Sequence, residues 1–108
     1  MPIHLPAPID IYFRSENDHD AEALQRCFAA DGSVRDEGRI FAGLAAIQSW
    51  RRAAAARYAH RTEPVRITER SGKVIVTALV SGDFPGSPVH LDHVFELAGD
   101  RIVSLEIG

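Results

Sequence analysis

Cysteine is nearly missing from this sequence: Cys27 is the only one. No internal disulfide can form, and no CxxC element is present for zinc or redox work. Long apolar runs are missing as well. No stretch approaches membrane-spanning length, and the start "MPIHLPAP" has neither the charged segment nor the apolar core of an export signal. The expectation is a soluble, cytoplasmic protein. An excess of positive charge is also absent. With 12 Lys and Arg against 15 Asp and Glu, mixed along the chain, the net charge is -3. There is no basic stripe for phosphates and no polybasic tail, which argues against nucleic-acid and membrane partners.

What is present is enough for one core. The chain has 108 residues, 45% of them hydrophobic, which points to a single domain over residues 1–108, with residues 1–7 as an extended N-terminal segment. "PIDIYFRSEN" reads as a short helix with Pro8 in its first turn and Ile9, Tyr12 and Phe13 on one face, ending near Asn17. "DHDAEALQRCFAADG" reads as a second helix, capped by Asp18 or Asp20, with Leu24, Cys27 and Phe28 on one stripe and a stop at Gly32. "SVRDEGRIF" alternates like a short strand and breaks at Gly38. From Gly43, "LAAIQSWRRAAAARYA" predicts the longest helix, with Ile47, Trp50, Ala54 and Tyr58 along one side.

After His60 the period changes to two. Four strand candidates follow, "HRTEPVRITER", "KVIVTALVSG", "SPVHLDHVFEL" and "DRIVSLEIG", separated by Ser71-Gly72, Pro85-Gly86 and Gly99-Asp100. Such short punctuation favours antiparallel hairpins. Pro64 puts its strand at an edge or gives it a bulge. "KVIVTALV" is apolar on both faces, as a central strand is. The order of elements predicts an α+β domain.

The residues "CFAADGSVRDEG", the helix start "GLAAIQSW" and the closing hairpin "VFELAGDRIVSLEIG", taken in this order from about Ile9 to Gly108, resemble the nuclear transport factor 2-like superfamily in its SnoaL-like and ketosteroid-isomerase-like branch. The resemblance implies a cone-shaped fold: three N-terminal helices packed on a curved, mainly antiparallel sheet that encloses a pocket. It also implies a homodimer formed through the outer sheet face. It leaves the reaction open, since the superfamily spans isomerases, cyclases, dehydratases, epoxide hydrolases and proteins without catalysis.

Three residues are the catalytic candidates. Asp36 matches the isomerases' base, and it shares a strand face with Val34, so an inward Val34 brings Asp36 to the cavity, where a carboxylate can take a proton from carbon beside a carbonyl. Tyr12 matches the spacing of the isomerases' oxyanion donor; its other reading is an aromatic on the core side of its helix. The third position depends on phase in "VHLDHVFEL". Matched by identity, Asp92 takes the place of the isomerases' second aspartate. Alternation puts Leu91, His93, Phe95 and Leu97 on one face and His90, Asp92, Val94 and Glu96 on the other, and only the first is apolar enough for a core. His93 is therefore the expected inward residue, donating to a substrate oxygen or relaying a proton, unless a bulge near Asp92 reverses the phase.

Trp50 and Tyr58, with Phe28 and Phe95, are the expected substrate-binding wall. Arg51 stands where the isomerases often have an aromatic, which departs from the steroid template. His60, His90, His93 and Asp92 do not form a metal set, because His90 and His93 point to opposite faces and His60 is unplaced. No metal and no cofactor is expected, and Cys27 reads as a core thiol. Three functions compete: a cofactor-free enzyme of isomerase, cyclase or hydratase type with Asp36 as base, acting on an apolar carbonyl compound; a module that binds a small hydrophobic molecule without turnover; and a structural dimer whose cavity is filled by Trp50 and Tyr58.

Overall fold

The computed structural model describes residues 3–57 and 60–108. Helix α1 (Ala7–Asp18) and a 3-10 helix (Ala21–Arg26) precede strands β1 (Phe28–Asp36) and β2 (Arg39–Ala42); helix α2 (Leu44–Arg57) then leads into β3 (His60–Arg70), β4 (Lys73–Gly82), β5 (Val89–Ala98) and β6 (Arg101–Ile107). The strands form one curved, open sheet in the order β2-β1-β6-β5-β4-β3. All neighbours are antiparallel except β1 and β6. The architecture is α+β.

The longest helix follows the first strand as its sequence predicts, but the three helices implied at the N-terminus are not matched. Only α1 and the 3-10 helix come before the sheet; α2 lies between β2 and β3. The expected second helix through Gly32 is cut short, because the Cys27 carbonyl accepts a 2.7 Å hydrogen bond from Ile102 N, and Phe28 pairs with Ile102 on β6. Pairing with a distant strand overrides the local helical pattern. Gly32 fits that path: an added Cβ would lie 3.1 Å from the Ala29 carbonyl oxygen and 3.2 Å from that of Ile102.

Local sequence accounts for the remaining connections. Glu37 and Gly38, with φ of 53° and 76°, form a two-residue hairpin turn between paired Asp36 and Arg39. In β3 the pairing steps from Pro64↔Ala78 to Arg66↔Thr77, so Val65 is an extra residue, and β3 is an edge strand. The proline thus has both features that its chemistry suggests. The core lies between the inner sheet face and the helices. It joins Ile9, Tyr12 and Phe13 of α1 with Ile47 of α2 and with Val34, Val76, Phe95 and Leu105 of the sheet. Full burial of each such large apolar side chain contributes roughly 1.5–3 kcal/mol.

Candidate functional site

The alternation in β5 resolves the phase question. His93 and Phe95 are buried while His90, Asp92 and Glu96 are exposed. The carboxylate of Asp92 faces solvent, where it accepts a 2.7 Å hydrogen bond from Thr77 Oγ1. His93 is 2% exposed and lines a cavity of about 760 Å³ between α2 and the sheet.

Asp36 lines the same cavity from the end of β1. Its Oδ2 accepts a 3.0 Å hydrogen bond from Trp50 Nε1, so the single tryptophan fixes the carboxylate from the facing helix. Among the described residues Oδ1 has no hydrogen-bond partner. Trp50 lines the cavity without filling it, and Phe41, Val80, Phe84, Leu91 and Ile107 add apolar wall. Of the pair expected to fill this space in a structural dimer, Trp50 leaves it open beside Asp36, and Tyr58 lies outside the described residues.

A buried polar network forms another part of the wall. Arg51, 3% exposed, donates to Tyr12 Oη at 2.8 Å and places Nη1 3.5 Å from Glu16 Oε2. Its guanidinium lies 4.4 Å from the Trp50 ring centroid. Glu16 Oε2 also accepts from Thr62 Oγ1 at 2.8 Å and meets His60 Nε2 at 2.9 Å. Burial pushes the Glu16 carboxyl up, but the hydrogen bond from His60, the charge of Arg51 and the hydrogen bond from Thr62 outweigh it and hold the group at about 2. Glu16 is therefore ionised at neutral pH. Glu16, Arg51 and His60 all line the cavity.

Local structure explains this convergence. Asn17 at the end of α1 donates from Nδ2 to the Thr62 carbonyl at 2.8 Å and accepts from Thr62 N on Oδ1 at 2.8 Å. This two-point clamp lays the last turn of α1 on the first residues of β3. His60 and Thr62, two residues apart on one face of the strand, then both meet Glu16.

Several expected roles change. Tyr12 is fully buried, does not line the cavity and gives its hydroxyl oxygen to Arg51. Burial raises its hydroxyl far above the ordinary tyrosine range, the Arg51 charge opposing only in part. It supports Arg51 rather than meeting a ligand. Phe28 and Phe95 are core residues packed edge-on against Tyr12, at ring-centroid distances of 6.2 and 5.5 Å, and neither lines the cavity. Their side chains fill the layer beneath it. Tyr58 lies outside the described residues. His93 keeps its inward place but not a donor role: Nδ1 sits 3.3 Å from the Leu91 carbonyl, which can only accept, so in the neutral ring the proton is on Nδ1 and Nε2 is an acceptor. Burial holds this imidazole below the usual histidine range, against the opposing pull of Glu16 and the Leu91 carbonyl, so the neutral form is the relevant one.

Glu16, Arg51 and His60 are the site residues that the sequence reading missed. Glu16 falls seven residues after Ile9, on the stripe of Ile9, Tyr12 and Phe13; Arg51 falls four after Ile47, on the stripe of Ile47, Trp50 and Ala54. A charge of each sign on an apolar stripe was the available signal. Among the described residues no group of three His, Cys, Asp or Glu side chains is arranged to hold a metal ion, and no helix is long and apolar enough to cross a membrane.

With the geometry in place, the chain can be set beside known proteins. A candidate polyketide cyclase from Sinorhizobium meliloti has 40% sequence identity, with a TM-score of 0.91 over 96% of this chain and 95% of that one. A protein from Catenulispora acidiphila with a ketosteroid isomerase-like fold, crystallised with trimethylamine, has 20% identity and a TM-score of 0.84 over 97% of this chain and 86% of that one. A Mycobacterium tuberculosis epoxide hydrolase of the LEH-like type has 14% identity and a TM-score of 0.75 over 94% and 79% of the two chains. At these identities the last two share the fold alone. No curated protein matches. The SnoaL-like domain family matches residues 9–105. The chain belongs to the SnoaL-like domain family and has the nuclear transport factor 2-like, ketosteroid isomerase-like fold.

Proposed function

We propose that this protein is a cofactor-free acid–base enzyme that takes a small, largely apolar carbonyl compound and removes a proton from the carbon beside its carbonyl group. Asp36 is the base. The observation that carries this reading is the state of its carboxylate at the cavity wall: Oδ2 is fixed by Trp50 Nε1 at 3.0 Å, while Oδ1 has no partner among the described residues. An oriented carboxylate with one oxygen available to a ligand is what proton abstraction needs. His93, accepting through Nε2, orients a hydroxyl or enol on the substrate, and Trp50 supplies apolar wall.

The candidate polyketide cyclase of Sinorhizobium meliloti supports carbonyl chemistry of the aldol or enolisation type. Isomerisation and aldol-type cyclisation begin with the proton transfer assigned to Asp36, and hydration of a conjugated carbonyl compound ends with its reverse. The protein acts as a homodimer paired through the outer sheet face.

The test is α-hydrogen exchange. Apolar cyclic ketones such as 1-tetralone are incubated with the protein in D2O, and loss of the α-proton signal is followed by NMR. The wild type accelerates exchange, and Asp36→Asn removes the acceleration while ketone affinity stays similar. If the wild type binds these ketones without accelerating exchange, the cavity is a binding site only.

A further inference from the structure

Carboxylates and guanidinium groups in the cavity wall are matched in pairs, with one exception. Glu16, Asp36 and Glu37 line it together with Arg39, Arg51 and Arg57. Arg51 lies 3.5 Å from Glu16, and Arg57 lies 3.7 Å from Glu37. Asp36 and Arg39 are direct partners across the hairpin of β1 and β2, a position that brings opposed Cβ atoms to about 4.5–5.5 Å. Opposite charges set there can join, yet these two do not. Asp36 is held by Trp50 Nε1, and the Arg39 guanidinium lies 5.4 Å from the Phe41 ring centroid, with no ion-pair partner among the described residues.

Register directs Arg39 to the cavity. Residues opposed across an antiparallel pair share a face, and so do residues two apart on one strand. Arg39 opposite Asp36, and Phe41 opposite Val34, therefore stand on the inner face with the fully buried Val34, while Ile40 between them is 66% exposed on the outer face. The Phe41 ring continues the line, 6.2 Å from the Trp50 ring that holds Asp36. The guanidinium thus rests on an aromatic shelf that leads to the Asp36 carboxylate. Water satisfies an exposed arginine anywhere on a surface, but here the cation stands at the rim of a largely apolar cavity, beside the base. A guanidinium offers two parallel N–H donors to a carboxylate. An anion bound alone beside Asp36 would be repelled, and Arg39 offsets that repulsion.

We propose that Arg39 is a specificity-determining residue that binds a carboxylate on the substrate, which makes the substrate class an oxo acid: an apolar ketone carrying one carboxylate group. This rests on the acid–base reading of Asp36. The substrate carboxylate takes the place at Arg39 that no protein anion fills. Its apolar body lies along Phe41 and Trp50, and the carbon beside the ketone faces Asp36 Oδ1. A neutral ketone leaves Arg39 unpaired and loses the contact that orients it.

The test compares 4-oxo-4-phenylbutanoate with its methyl ester, which has the same ketone and the same α-carbon but no charge. Binding of each to the intact wild-type chain is measured first, by isothermal titration. The acid binds roughly tenfold more tightly than the ester, the size of one hydrogen-bonded contact between charged groups, and the preference shrinks in about 0.5 M NaCl as screening weakens the contact. Equal affinities at low salt overturn the proposal. Exchange of the α-protons in D2O is then followed by NMR for both compounds with the wild type, Arg39→Gln and Arg39→Lys. The acid-to-ester ratio of kcat/KM is roughly ten in the wild type, near one in R39Q and intermediate in R39K, whose ammonium keeps the charge without the fork of donors. A ratio that survives in R39Q overturns the assignment to Arg39. The ratio is internal to each protein, so a smaller folded fraction in a variant does not alter it. A wild type that exchanges both compounds without preference overturns this inference alone. A wild type that exchanges neither, yet binds the acid more tightly, overturns the reading of Asp36 and supports the contact at Arg39.

Discussion

Two buried charges, Glu16 and Arg51, and one buried thiol decide how single substitutions behave. Glu16 is held at about 2 in the folded chain against an ordinary value of 4.5. Between those values the unfolded chain binds more protons at this position than the folded one, so the Glu16 contribution is complete above about pH 4.5 and is lost as pH falls towards about 2. Urea denaturation from pH 6 to pH 2.5 should follow that slope, and Glu16→Gln should flatten it. Arg51→Met leaves the Glu16 charge buried without its cation and should cost about 3–5 kcal/mol, read from the shift in denaturation midpoint. Cys27 is fully buried, and burial pushes its thiol up to about 12. A thiol reagent at pH 8 should leave it unmodified in the folded protein and label it fully in guanidinium. The inert character of Cys27 and the inward place of Asp36 were legible from apolar stripes and strand alternation. The role of Glu16 was less so, because its position on a stripe says that it is buried but not that Arg51, His60 and Thr62 converge on it from two other elements.

At the level of elements, the clamp from α1 to β3 matters most for the site. Asn17→Ala removes both hydrogen bonds to Thr62 and leaves its backbone N–H and C=O to find other partners. The expected loss is about 1–3 kcal/mol, with a weaker hold on the His60–Glu16 contact, measured as a lower denaturation midpoint and mixed His60 tautomers. This scale also separates what sequence reveals from what it hides. Period-two alternation in β5 carries the phase of His93 and Asp92 without help from elsewhere, and Pro64 signals the edge and the bulge. The passage from Cys27 to Gly32 could not be read that way. Its residues have a helical stripe, yet Phe28 pairs with Ile102 of β6, more than seventy positions later in the chain. The docking that brings His60 to Glu16 is equally non-local.

For the whole molecule, the outer sheet face is the counterpart of the cavity. Ile75 pairs across β4 and β5 with Val94, and both, with Leu79, are only half-buried in the single chain, while Val65 is 41% exposed at the bulge. A small protein covers such a face by self-association more readily than it leaves it wet. Sedimentation equilibrium at micromolar concentration should give a dimer, and Ile75→Glu should give a folded monomer; a monomeric wild type would count against this face as an interface. The cavity on the inner side holds the Asp36 carboxylate, fixed from the facing helix by Trp50. The most direct measurement is the rate of α-proton exchange of 1-tetralone in D2O at saturating ketone, wild type against Asp36→Asn. The account predicts a fall of at least a hundredfold in the variant with ketone affinity nearly unchanged; equal rates in the two proteins would contradict it.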